Sequence, residues 1–171
     1  MPSKQKVKGS NFERDIAKHL SKVFGWNFER VPTSGAMTGG INSARLAQMS
    51  PSQKLLLEGD LIPPDELPLF KIECKTLKSF NFSSLLKSSA IMDDWIGQAR
   101  SDDKIWFLIF KINNRGIHVG MDQNLFRMIC NSGDQYHKHL QYNGVTIVNM
   151  ENFFETYKNN LIEVNNQLMR K

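Results

Sequence analysis

Cysteine is scarce in this chain of 171 residues: Cys74 and Cys130 are the only two. No cysteine pair has metal-ligand spacing, which excludes a zinc finger. Both thiols read as small core residues of a protein in a reducing cytosol, Cys74 on a buried strand face and Cys130 in an apolar helix. No apolar run reaches the length of a membrane span, and no apolar signal segment opens the sequence, so a cytoplasmic protein without membrane contact is expected. There is no internal repeat and no low-complexity tract. What remains is an ordinary globular composition, 40% hydrophobic and 23% charged, whose length suits one domain over residues 1–171.

The charge is uneven. The net charge is +5, and residues 1–30 carry seven Lys and Arg against three acidic residues. A basic end of this kind suits an anionic partner such as nucleic acid, or is simply a solvated face. Residues 1–8, with Lys4, Lys6 and Lys8, read as a flexible basic arm.

A capping box, Ser10-x-x-Glu13, predicts a helix from Ser10 to about Phe24, ended by Gly25. Ile16, Ala17, Leu20, Val23 and Phe24 form its apolar stripe, and Glu13 falls on that same stripe. Glu13 is thus a capping glutamate, a carboxylate aimed at an internal site, or both. Trp26–Val31 reads as a strand with Trp26, Phe28 and Arg30 on one face. Residues 35–58 read as a long loop holding a short helix that starts at Ser50-Pro51-Ser52-Gln53. A short strand at Asp60–Ile62, a proline-rich turn and a strand at Leu69–Lys75 follow. Alternation along the latter puts Phe70, Ile72 and Cys74 on a greasy face and Lys71, Glu73 and Lys75 on the other.

Ser84–Arg100 reads as a helix in which Ile91, Trp95 and Gln98 share the inward stripe, with Gly97 permitting close packing. An inward Gln98 needs partners, whether backbone or a site. Lys104–Lys111 is apolar on both faces, as a central strand is. A turn at Asn113–Gly116 leads to a strand at Ile117–Val119, and Asp122 caps a helix with Leu125, Phe126 and Ile129. A polar loop with Tyr136, His137 and His139 precedes a short strand at Val145–Val148. A C-terminal helix over residues 150–171 turns Phe153, Phe154, Tyr157, Leu161, Val164 and Leu168 inward. The fold class is α/β: a mixed central β-sheet flanked by helices, with a C-terminal helix.

Asp60, Glu73 and Lys75 gather carboxylates and an ammonium at the edge of a buried strand. Phosphodiester hydrolysis needs an activated water and a stabilised leaving oxygen, and Mg²⁺ held by carboxylates supplies both. Asp60, Glu73 and the Cys74 backbone carbonyl offer metal oxygens, with Glu13 completing the shell or supporting it. Lys75 would orient the water and neutralise phosphate charge. Arg30 and Ser34 would contact phosphate. The bare spacing D-x(12)-E-x-K is common, and a strand face on which Glu73 and Lys75 serve in cross-strand ion pairs explains it equally well.

The stretch Lys8-Gly9-Ser10, Phe12-Glu13-Arg14, then Gly25-Trp26, Arg30, Pro32 and Ser34-Gly35, resembles the opening of the archaeal-type Holliday junction resolvases, virus-borne versions included. Asp60 and Glu73-Cys74-Lys75 then match that family's PD-(D/E)xK nuclease motif in order. The resemblance covers roughly residues 6–111. It implies a restriction-endonuclease-like fold and a Mg²⁺-dependent endonuclease, with Mn²⁺ able to substitute. It also implies a homodimer acting on branched DNA in the cytoplasm, the host cell's if viral. By matching position, Glu13, Asp60, Glu73 and Lys75 would be catalytic, Ser34 a contributor, and Gln98 a supporting residue. Lys4, Lys6, Lys8, Arg14, Arg30 and Ser34 would bind DNA. Gly59 stands where the motif has proline, a common change, and the segment from Gly35 to Gly59 is longer than the family leads one to expect. A restriction-like, repair or nicking nuclease of the same fold, and a non-catalytic DNA-binding protein on that fold, are the other readings.

Overall fold

A computed structural model describes residues 4–31, 58–130 and 138–170. The basic arm does not stand apart from the first helix. Helix α1 runs from Lys4 to Phe24, so Ser10 lies in its interior and the expected capping box is absent. Gly25 ends it as expected, in the left-handed conformation (φ 79°) that glycine adopts without penalty, its N–H bonded to the Ser21 carbonyl. Two short strands follow, β1 (Glu29–Arg30) and β2 (Leu61–Ile62), paired antiparallel. The expected strand at Trp26–Val31 is therefore much shorter. Ser34 and the expected short helix at residues 50–53 lie outside the described residues.

Strand β3 (Phe70–Leu77) alternates as its sequence requires: Phe70, Ile72 and Cys74 are buried, while Lys71, Glu73 and Lys75 are half-buried. The helix expected over Ser84–Arg100 divides. A 3-10 turn at Phe82–Leu86 is followed by α2 (Ala90–Ala99), because Ser89 accepts from the Met92 N–H and caps a new start. Strand β4 (Ile105–Ile112) is buried along nearly its whole length. Strand β5 (Gly116–Asp122) returns antiparallel to it, and Asp122 caps α3 (Gln123–Ile129). His139 opens a strand, β6 (His139–Tyr142), where a loop was expected. Its hairpin to β7 (Val145–Asn149) turns on Asn143 and Gly144, both at positive φ. Helix α4 (Phe153–Met169) closes the chain.

The sheet order is β3-β4-β5-β7-β6, with β3 and β4 parallel and every other pair antiparallel. This is the mixed sheet that the sequence predicts. Phe70, Ile72, Phe107, Ile109 and Val119 pack on one face against α1, α3 and α4. Trp106, Leu108, Phe110, Ile112 and Ile147 pack on the other against α2. Phe24 of α1 meets Phe70 edge-on at 5.9 Å and Phe154 of α4 at 6.3 Å, which fixes α1 across β3. The apolar stripe of α4 is spent inside the molecule, except that Leu168 is exposed. Among the described residues no helix is long and apolar enough to cross a membrane.

Candidate active site

Strand β3 is an edge strand, so one side of its backbone has no strand partner in the five-stranded sheet. Asp60 occupies part of that side. Its N–H donates to the Ile72 carbonyl at 2.8 Å, and its carboxylate Oδ2 accepts from the Cys74 N–H at 2.8 Å. Its own carbonyl accepts from the Val31 N–H at 2.9 Å, tying it to the chain beyond β1. Asp60 therefore has no freedom to leave the strand that carries Glu73 and Lys75.

Gly59 makes this approach possible. It sits at φ 87°, and a Cβ added there would lie 2.6 Å from the Ile72 carbonyl oxygen. Only glycine gives both the conformation and the clearance. Gly59, which stands where the motif has proline, thus has a conformational requirement of its own in this chain.

Lys75 Nζ donates to Glu73 Oε1 at 2.5 Å and to Gln98 Oε1 at 2.6 Å. Gln98 is exposed rather than buried, so the expected inward stripe on α2 is wrong at this position, and Ile91 is exposed as well. Gln98 nevertheless faces the site from the rim. Gly97 beside it has no atom within 4 Å of where a Cβ would stand, so it serves no close packing. The amide orientation follows from chemistry. Lysine only donates and a carboxylate only accepts, so the Gln98 oxygen turns to Lys75 and its nitrogen donates to Asp94 Oδ2 at 2.9 Å. Lys71 donates to the Gln98 and Arg100 carbonyls at 3.0 and 3.2 Å, fastening the end of α2 to β3. The sequence reading missed Asp94, although its place four residues before Gln98 on one helix face marks the pair.

Glu13 is buried, as its stripe predicts, with 9% of its surface exposed. It accepts from Nε of Arg30, whose Nη2 also donates to Ser10 Oγ at 3.2 Å. Two parts of the opening motif that are distant in sequence thus meet in space. Arg30, expected to contact phosphate, thus commits its Nε and Nη2 to Glu13 and Ser10, two of the nitrogens of a guanidinium that carries five N–H donors. Arg14 is exposed and donates to Asn11. With Lys18 and Arg30 it lines a cleft of about 350 Å³. Lys8 is exposed on α1, while the side chains of Lys4 and Lys6 lie outside the described residues.

The charged members of the constellation act on one another. The Asp60 carboxyl is raised to about 7, first by burial, then by the charges of Glu73 and Glu13, against the Cys74 N–H and the Lys75 ammonium. Burial, and next the Asp60 charge, push the Cys74 thiol well up, which leaves it an inert core group. Among the described residues no three His, Cys, Asp or Glu side chains form a ready metal cage. The donor set still fits a hard divalent cation. Asp60 and Glu73 offer carboxylate oxygens under mutual repulsion, and Mg²⁺ keeps several waters rather than demanding an all-protein shell.

The chain matches the model of a family described as "Phage putative PDDEXK endonuclease" over residues 4–164. No curated protein and no solved structure gives a significant match. The matched span takes in α1, the Asp60 turn, β3 and α2, which are the elements that bring Glu13, Asp60, Glu73, Lys75 and Gln98 together. The chain therefore belongs to this phage family of PD-(D/E)xK endonucleases.

Proposed function

We propose that this chain is a metal-dependent DNA endonuclease that resolves four-way junctions as a homodimer by paired symmetric nicks. The observation that carries the catalytic part is the pinning of Asp60 onto the edge of β3 beside Glu73 and Lys75. The preference for branched DNA rests on the resemblance of the opening motifs, and the Glu13–Arg30–Ser10 contacts give those motifs a common purpose.

Asp60 and Glu73 would hold Mg²⁺ or Mn²⁺, with the Cys74 carbonyl and Glu13 as further oxygens. The bound ion lowers the pKa of a water and offsets charge on the leaving oxygen. Lys75 spends two of its three N–H donors on Glu73 and Gln98, so the third points its charge at water or phosphate. Gln98 fixes the ammonium without neutralising it. Ser34, four residues after Arg30 in the sequence, would add a hydroxyl toward phosphate.

The test is incubation with immobile four-way junctions, linear duplex and single strands, with Mg²⁺ and with chelator. Paired symmetric nicks in the junction alone, lost with chelator, are expected. Equal cutting of linear duplex would replace junction resolution with a restriction-like, repair or nicking activity. Binding without cleavage under Mg²⁺ or Mn²⁺ would leave a DNA-binding protein on a nuclease fold.

Asp94 offers a finer check. Asp94→Ala frees the Gln98 amide, and the loss of one hydrogen bond, about 1 kcal/mol, corresponds to a roughly fivefold slower single-turnover cleavage. Asp94→Asn keeps an acceptor for the Gln98 nitrogen and should retain most of the rate. Equal losses in the two variants would remove Asp94 from this role.

A further inference from the structure

A second cleft lies beside the carboxylate cluster, and none of the four acidic and basic residues Glu13, Asp60, Glu73 and Lys75 lines it. Its volume is about 680 Å³, and Lys8 of α1, Lys78 after β3 and Lys111 of β4 line it, with Asn11, Asn113 and Asp15. Three cations face one carboxylate. Among the described residues none of the three lysines is in an ion pair, and all three are exposed. Their ammonium groups are therefore available to an anion. The asparagines add neutral hydrogen-bonding groups of the kind that phosphate oxygens accept from.

The cleft borders the site on the α1 side of the sheet. Strand alternation turns Thr76, with its register partner Lys111, to the face that α1 covers, the helix that also carries Glu13. Across the cleft, Lys8 lies one residue from Gly9, whose added Cβ would approach Glu13 Oε1 to 3.9 Å. Three residues separate Lys75 from Lys78, which is roughly 10 Å at about 3.3 Å per extended residue. A DNA strand advances about 3.4 Å per nucleotide along the duplex axis. The span matches about three nucleotides.

We propose that this cleft is a track for the DNA backbone, taking phosphates about three nucleotides from the one that is cut. Lys8, Lys78 and Lys111 hold the strand there by charge, independently of base sequence. The proposal extends the nuclease reading, since it places the substrate strand relative to Lys75. It is nonetheless a statement about binding and can be tested without cleavage.

The experiment measures anisotropy of a fluorescein-labelled 20-base-pair duplex with the full chain in EDTA, across a salt series. Each phosphate contact contributes about 0.9 to the slope of log K against log salt. The triple variant Lys8→Gln, Lys78→Gln, Lys111→Gln should reduce the magnitude of that slope by about 2 to 3. A control triple removing remote cations, Lys22→Gln, Arg127→Gln and Lys158→Gln, should leave it nearly unchanged. Circular dichroism melting of both triples checks that they fold, and the single variant Lys111→Gln, expected to lower the slope by about 1, serves if the triple does not. An unchanged slope in the cleft variants, an equal fall in the control, or no DNA binding by the wild type overturns the track. Cleavage by the wild type with an unchanged slope in the cleft variants sinks the track and spares the nuclease. A reduced slope in a protein that cuts no DNA does the reverse.

Discussion

Asp60→Asn is expected to slow metal-dependent DNA cleavage at least about a hundredfold, and to raise the melting temperature of the metal-free protein at pH 8. The first effect follows from losing a charged oxygen at the metal position, where several kcal/mol of transition-state stabilisation are at stake and about 1.4 kcal/mol is tenfold in rate. The second follows from linkage. The Asp60 carboxyl stands at about 7 in the folded protein against an ordinary value of 3.8. Between those pH values the folded state keeps a proton that the unfolded chain has released. This group's contribution to stability therefore falls as pH rises from about 4 to about 7 and is level above that. Asparagine has no charge to bury, and its side-chain oxygen still accepts from the Cys74 N–H. Calorimetric melts at pH 5 and pH 8, with EDTA and with Mg²⁺, measure this. The gap between variant and wild type should open with pH in EDTA and narrow when Mg²⁺ stabilises the wild type. A variant that loses activity and melts lower at pH 8 would make Asp60 a structural residue only.

Gly59→Ala is expected to be the most damaging glycine-to-alanine change among the described residues. The left-handed conformation costs a non-glycine residue about 1–3 kcal/mol, and overpacking adds a similar amount. The added carbon would stand 2.6 Å from a backbone oxygen of β3, which cannot swing aside as a side chain could. For a domain of this size a melting point lower by roughly 5–15 °C is expected. Any relief moves Asp60 off the Cys74 N–H, so cleavage should fall by more than tenfold at temperatures where the variant is still folded. Gly97→Ala is the contrast. It sits in α2 with nothing near its added carbon, and helix propensity makes it neutral or stabilising by up to about 1 kcal/mol. Comparable losses from the two substitutions would show that the close approach at Gly59 carries no functional weight.

The parts of the fold set by simple periodicity were legible in the sequence. Period-two alternation placed Glu73 and Lys75 opposite Cys74, and the unbroken apolar run Ile105–Phe110 marked the central strand. Helical spacing placed Glu13 inward, although the same stretch misled about the helix start: Ser10 has the identity of a cap but lies in the middle of α1. Local rules decide whether a residue can cap, while the residues before it decide whether it does. Strand β6 was missed despite the Asn143-Gly144 turn signal, because His139–Tyr142 is short and only partly apolar. Gln98 was placed correctly against the site for a wrong reason, since its contact with Lys75 is at the exposed rim of α2 and not in its core. Pairings across long sequence distances, such as Arg30 with Glu13 or Asp60 with Cys74, follow from how elements pack, and no spacing rule announces them.

The position of Asp60 has a consequence for solubility. An unpaired strand at the margin of a sheet invites the same strand of another molecule to join it, and natural proteins blunt such margins with charge or a covering segment. Asp60 covers β3 in this way: its backbone takes up the Ile72 carbonyl and its carboxylate takes up the Cys74 N–H, groups that a docking strand would need. The residue proposed to hold the metal would thus also keep the sheet from growing outward, so mutants that shift it should form aggregates rich in β-structure as well as losing cleavage.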